Sequence, residues 1–230
     1  MTTYFTSDLH ILHRLVAGIR GFMTDPATMP DGEEMPRSSV PDVWAHNAAV
    51  VDAFSVVRPE DIIWVVGDLV ANEKNWTYAL QLIDTFPGRK RLICGNHDPA
   101  SSIHREAWKY RQGFINEVFE TVQDFAKIKM NGGTVLLSHY PYSGVGSEGL
   151  RGESQEQLPE RYTEFRLTDC GTPLIHGHTH GPEKLHFSER GTPQIHVGLD
   201  AWNMKLVSQH EIEKLLDLAK TSAKVEQKES

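Results

Sequence analysis

Residues fit to bind metals and move protons recur in this chain at one kind of place, the end of a short apolar run. Arg91-Leu92-Ile93-Cys94 passes through Gly95 into Asn96-His97-Asp98. Tyr4-Phe5-Thr6-Ser7 leads into Asp8-Leu9-His10, and Ile62 to Val66 passes through Gly67 into Asp68. Thr134 to Ser138 leads into His139, and Pro173 to His176 through Gly177 into His178-Thr179-His180. Four histidines, two aspartates and an asparagine from these ends make a ligand set too poor in oxygen for calcium or an all-oxygen magnesium site, and it contains no thiolate. Mixed imidazole and carboxylate ligation suits Mn, Fe, Zn, Co or Ni. The set is too large for one tetrahedral ion and about right for two ions sharing a carboxylate. Two ions roughly 3.5–4 Å apart activate a water between them and clamp the oxygens of an in-line displacement, for which phosphate esters are the natural substrates.

Each element of this set is weak by itself. Asp8-x-His10 reads equally as a turn, and Asp68 as a helix cap. On an extended chain His178 and His180 point to opposite faces, so they serve one ion only if the backbone bends, and otherwise serve two. A structural zinc site closes with four Cys or His ligands, whereas here carboxylates and an amide join in. The bland readings would have to hold independently at five strand ends.

The elements that must position these residues are legible in the same runs. Strands are expected at 2–7, 61–66, 90–94 and 173–176, with hairpins at Phe125–Met130/Thr134–Ser138 and Leu185–Phe187/Gln194–Val197. Asn131-Gly132 supplies the positive φ of the first hairpin turn. Helices are expected from Asp42 to Val57, near Lys74–Phe86, from Ser101 to Gln112, and from Ser208, where Glu211 completes a Ser-x-x-Glu capping box. The tail after Ala223 is polar and expected to fray. Strands alternating with helices, plus two hairpins, give an α/β fold with mixed sheets. One domain is expected over 1–215, with 216–230 as the end of the last helix and its tail. The irregular stretches 23–41 and 140–159 read as loops bordering the site, and such loops set specificity.

Composition narrows the function classes. The 230 residues are 39% hydrophobic and 23% charged, an ordinary globular balance. No run approaches the roughly 18 apolar residues of a membrane helix. The N-terminus enters a strand without a basic segment and apolar signal core, and the two cysteines make no disulfide framework, so a cytoplasmic location is expected. A formal net charge of −8 argues against a long nucleic-acid duplex as partner, although two bound divalent cations would halve it and make the site itself electropositive.

Asp8-x-His10, Gly67-Asp68, Gly95-Asn96-His97-Asp98, His139 and Gly177-His178-x-His180 resemble, in order, type and strand-end context, the five motifs of the calcineurin-like metallophosphoesterase superfamily. Val197-Gly198-Leu199-Asp200-Ala201-Trp202-Asn203 further resembles its small phage and bacterial members. The resemblance implies two mixed β-sheets packed as a sandwich flanked by helices. It also implies two divalent transition-metal ions, with manganese the first expectation. Asp8, His10 and His180 would hold one ion, Asn96, His139 and His178 the other, and Asp68 would bridge. His97 corresponds to the family's non-ligand histidine, which protonates the leaving oxygen, with Asp98 orienting it. An imidazole, titrating near neutrality, is by its chemistry a good acid for an alkoxide. His13 and His176 lie close enough in sequence to support the ligands, while His104, His186, His196 and His210 read as surface or core residues.

Two departures from relatives bear on substrate. Asp68 is followed by Leu69-Val70-Ala71-Asn72-Glu73, without the Asp-Arg-Gly element of phosphoprotein phosphatases, and Asp98 stands where those enzymes have Glu. Both favour a phosphodiesterase acting on small diesters, including nucleotides and cyclic nucleotides. A phosphomonoesterase or pyrophosphatase on the same scaffold, or a non-catalytic scaffold, are the alternatives. Tyr140 and Tyr142 follow His139, and Arg151 lies further along. A tyrosine there could stack on a nucleobase and the arginine could grip a phosphate oxygen. Oligomeric state is not legible.

Overall fold

The computed structural model describes residues 1–24, 40–70, 73–142 and 161–229. Its first sheet is built from β1 (Thr3–Thr6), β2 (Ile62–Val65), β3 (Arg89–Ile93), β4 (Thr121–Gln123) and β10 (Val207–Ser208). The order is β10-β1-β2-β3-β4, with β1 to β4 parallel and β10 antiparallel at the edge. The second sheet contains β5 (Phe125–Met130), β6 (Gly133–Ser138), β7 (Leu174–His176), β8 (Leu185–Phe187) and β9 (Pro193–His196). Its order is β5-β6-β7-β9-β8. Here β6, β7 and β9 run parallel while β5 and β8 close antiparallel hairpins. Two mixed sheets with flanking helices make the expected α/β sandwich.

The period-2 alternation of the strands feeds two cores at once. From β2 and its extension, Ile63 and Val65 face one apolar cluster while Trp64 and Val66 face the other. From β3, Leu92 and Cys94 go one way and Ile93 the other. The first cluster packs the sheet against α2 (Val43–Ala53), α3 (Trp76–Asp84) and α4 (Ala107–Glu117) through Val50, Leu80, Ile83 and Phe114. The second fills the space between the sheets, where Phe5 and Trp64 meet Val135, Leu137, Ile175 and Ile195. Ile212 and Leu216 of α5 (Gln209–Glu229) join it. A strand with both faces buried must read as a continuous apolar run, which is how β2 reads.

Local chemistry explains most boundaries. Asp42 caps α2, its carboxylate accepting from Trp44 N at 3.0 Å and Ala45 N at 2.9 Å. At the start of α5, Glu211 accepts from Ser208 N at 2.8 Å and Ser208 Oγ accepts from Glu211 N at 3.3 Å. The β5–β6 turn has Asn131 at φ 52 and Gly132 at φ 71.

Two expectations are corrected. The helix anticipated at Ser101 begins at Ala107. The preceding residues instead form turns, drawn back by Ser102 bonding Asp124 and by His104 Nε2 at 3.1 Å from the Asn96 carbonyl. The tail after Ala223 continues α5 to Glu229. Short elements β4, β10 and a six-residue helix α1 (Arg14–Ile19) were not foreseen, since two to six residues show no usable periodicity. Among the described residues no helix is long and apolar enough to cross a membrane.

Candidate metal centre

Parallel pairing is what gathers the site. The carboxyl ends of β1, β2 and β3 lie side by side, and those of β6 and β7 meet them across the sandwich. Ser7 N donates to the Val197 carbonyl at 3.1 Å, joining the sheets at this edge. The turns that follow are unusual for their residue types. Asp8 (φ 58), His10 (φ 45), Asp68 (φ 58), His178 (φ 72) and His180 (φ 51) all occupy the left-handed region. Each such conformation costs on the order of 1 kcal/mol or more and persists only where neighbours impose it. Asp8 N donates to Gly67 O at 2.9 Å, His10 N to Asp68 O at 3.1 Å, and His178 N to Asp8 Oδ1 at 3.2 Å. The turns therefore hold one another.

Glycines make the close approach possible. A Cβ on Gly67 would run into Nδ1 of His139, one on Gly95 into the Asp68 carboxylate, and one on Gly177 into Ser7 and Asp8. Each glycine stands immediately before, or opposite, a ligand-type side chain. Substituting any of them would displace that side chain.

Two buried triads result, Asp8/His10/His180 and Asp68/His139/His178. In the first, Nε2 of His10 and His180 face each other at 3.1 Å, and His180 Nε2 is 3.6 Å from Asp8 Oδ1. In the second, His139 Nε2 is 3.4 Å from Asp68 Oδ2 and 3.2 Å from Asn96 Oδ1, so Asn96 joins this group. Asp68 Oδ2 also lies 3.8 Å from His10 Nε2, which puts that one oxygen between the triads. His178 and His180 diverge, one to each triad, because the backbone bends left-handed at both.

The protons on these rings are set by their outer partners. Nδ1 of His139 donates to the Val66 carbonyl at 2.8 Å and Nδ1 of His180 faces Asp200 Oδ2 at 3.0 Å, so in the neutral form each ring turns Nε2 inward as a lone pair. Burial alone would lower His139, but the facing Asp68 carboxylate outweighs it and raises the ring to about 9. Burial and neighbouring His180 hold His10 well below the ordinary histidine value. Burial opposes ionisation of Asp68, yet His139 and His10 keep its carboxyl well below the usual range. Carboxylate oxygens and imidazole nitrogens converging at a buried point call for positive charge among them, supplied by a proton on His139 or by a bound cation. The donor set fits two divalent ions.

The remaining expected residues divide. His97 stands at the mouth with its side chain 40% exposed, Nε2 4.0 Å from Asp68 Oδ2, outside both triads. Asp98 does not turn to His97. Its carboxylate is fully buried and accepts from Gly95 N at 2.7 Å, Asp68 N at 2.9 Å and Leu69 N at 2.9 Å, fastening two site turns to each other. Tyr142 is corrected too: it is 0% exposed, its hydroxyl donating to Thr172 O at 2.9 Å, and it has no face to offer a base. Tyr140 is buried with its ring against His139 and His178. Arg151 lies outside the described residues.

Sequence reasoning missed several participants. Ser7 Oγ donates to Asp8 Oδ2, Arg20 and Asp200 back the first triad, and the half-buried Tyr162 ring lies 5.8 Å from that of His178. Asp200 lies in the Val197–Asn203 stretch that carried the resemblance to small phage and bacterial proteins, a signal that drew attention to it without giving it a task. His13 does pack on His10, at 5.0 Å between ring centroids. His176 turns away, toward His186 at 3.0 Å.

The family model for calcineurin-like phosphoesterases matches residues 1–182. The chain belongs to this family. As a calcineurin-like phosphoesterase it is 39% identical over 226 residues to the gene 66 protein of Mycobacterium phage L5, with 94% of each chain covered. It is 34% identical over 221 residues to the gene 66 protein of Mycobacterium phage D29, covering 93% of this chain and 95% of that one. A protein of unknown function from Aquifex aeolicus shares the fold at a TM-score of 0.56 and 23% identity, over 93% of this chain and 98% of that chain. This family normally binds two divalent metals, and the chain has two candidate triads that could hold them.

Proposed function

We propose that the protein hydrolyses small phosphodiesters, nucleotides and cyclic nucleotides among them, with two divalent transition-metal ions, manganese foremost. Asp8, His10 and His180 would hold one ion, and Asn96, His139 and His178 the other, with Asp68 shared. When bound, such a pair supplies Lewis acidity and a nucleophile at neutral pH. The chain's own residues do the rest. Asp68 offers Oδ2 to both groups, while its Oδ1 accepts the amide of His97 at 2.9 Å. That amide bond ties the loop bearing His97 to the centre of the site.

The observation that carries a catalytic reading is the position of His97. Its ring lies outside both triads with its side chain 40% exposed, so it can present Nε2–H to the leaving oxygen of a bound ester and hand over the proton as the P–O bond breaks. The stretch after Asp68, which lacks the Asp-Arg-Gly element, and Asp98 in place of Glu, support a diester over a phosphoprotein substrate. Tyr162, beside Tyr140 at 5.3 Å, takes over the stacking role first given to Tyr142.

The test is a panel of mono-, di- and cyclic phosphates given to chelator-stripped protein with Mn, Mg, Zn, Fe or Co. Diester turnover exceeding monoester turnover with manganese is the expected result. Preference for monoesters or pyrophosphates under every metal would replace the diesterase reading. Tyr162→Ala should depress turnover of a cyclic nucleotide more than that of an aryl diester; equal effects would remove the stacking role.

A further inference from the structure

Behind the first triad lies a buried ion pair that joins residues 180 positions apart. Arg20 Nε donates to Asp200 Oδ1 at 2.9 Å and its Nη2 to Asp200 Oδ2 at 2.7 Å, a two-pronged fork. The same Nη2 reaches the Asp8 carbonyl at 2.8 Å, and Nη1 lies 2.9 Å from His46 Nε2. Asp200 Oδ2 also accepts Nδ1–H of His180 at 3.0 Å. The Arg20 side chain is 3% exposed and that of Asp200 11%. A buried ion pair is weak as a source of stability, because desolvating two charges offsets most of their attraction. Its value here lies in what else the two groups hold.

We infer that Asp200 and Arg20 are positioning residues for the ion held by Asp8, His10 and His180, setting the tautomer of His180 and the turn at Asp8. This rests on the reading of those three residues as ion ligands. By accepting Nδ1–H, Asp200 leaves His180 Nε2 as a lone pair aimed at the centre. Arg20 occupies both Asp200 oxygens, so the carboxylate is kept in place behind the ring and cannot swing in as a ligand. Through the Asp8 carbonyl Arg20 also fixes a residue whose backbone is strained. Arg20 and Asp200 bond directly to Asp8 and His180 of the first triad, so the effect falls first on that ion.

Mn²⁺ titration calorimetry on the chelator-stripped full chain tests this. Wild type should bind two ions. Asp200→Asn should weaken one by about 10–100-fold, as loss of a partner behind a metal-binding histidine does, and leave the other within about twofold. Arg20→Lys keeps the charge but loses the fork, and should weaken the same ion in the same direction; it serves also if Asp200→Asn does not fold. Equal weakening of both ions, or no change in either, overturns the inference. A wild type that binds fewer than two ions instead overturns the two-metal reading beneath it.

Discussion

At the residue scale the site separates groups that hold from a group that acts. Asp8, His139 and His180 are buried and braced by outer partners, whereas the His97 side chain is 40% exposed, tied by its amide to Asp68 and edge-on to the His10 ring. His97→Ala should therefore lower kcat by ~10²–10⁴-fold on an ester with a poor leaving group, with metal content unchanged by elemental analysis. The loss should shrink for nitrophenolate, which leaves without a proton. Metal loss in this variant would make His97 a ligand. Asp98 has a different task. Removing its carboxylate strands three buried amides, at about 1–3 kcal/mol for each that stays unsatisfied, so Asp98→Ala should lose stability and activity together. A variant as stable as wild type in urea would contradict that assignment. Gly95→Ala, whose Cβ meets the Asp68 carboxylate, should weaken metal binding although every ligand residue is retained; unchanged Mn²⁺ affinity would show that the turn yields.

At the scale of elements, five short strands end together because β1, β2 and β3 are parallel in one sheet and β6 and β7 in the other. Open α/β sheets put ligands at the carboxyl ends of strands for this reason. The helices contribute packing and leave the chemistry to the turns. Asp42→Ala, which removes a cap from α2, should cost about 1 kcal/mol, lowering Tm by about 2–4 °C for a chain of this size. It should also leave diester turnover at wild-type level, since Asp42 touches no site residue. A fall in turnover without a fall in Tm would mean that α2 acts on the site directly, through His46 and Arg20.

For the whole molecule, metal is expected to be a structural as well as a chemical partner, because turns from both sheets converge on the two buried triads. An ion present at a hundred times its Kd should stabilise the fold by about 2.7 kcal/mol, or about 5–10 °C in Tm. Scanning calorimetry of stripped protein with and without Mn²⁺ measures this, and coincident Tm values would count against both triads. Much of this molecule was determined by the sequence alone. The apolar runs, their glycine exits and the His, Asp and Asn that follow specify strands with ligand-type ends, because burial on both faces demands such runs and close approach demands glycine. Asp42 and the Ser208–Glu211 pair mark helix starts by the amides they satisfy. What these local signals leave open is direction. The role of Asp98 followed from which three amides two separate turns bring to it, and Tyr142 became core because Thr172 and Gln194 close over it. Arg20 and Asp200 meet across 180 residues of sequence, a contact that no local pattern encodes. Tertiary packing alone decides where a buried polar group finds its partner, since the partner must come from wherever the fold places one.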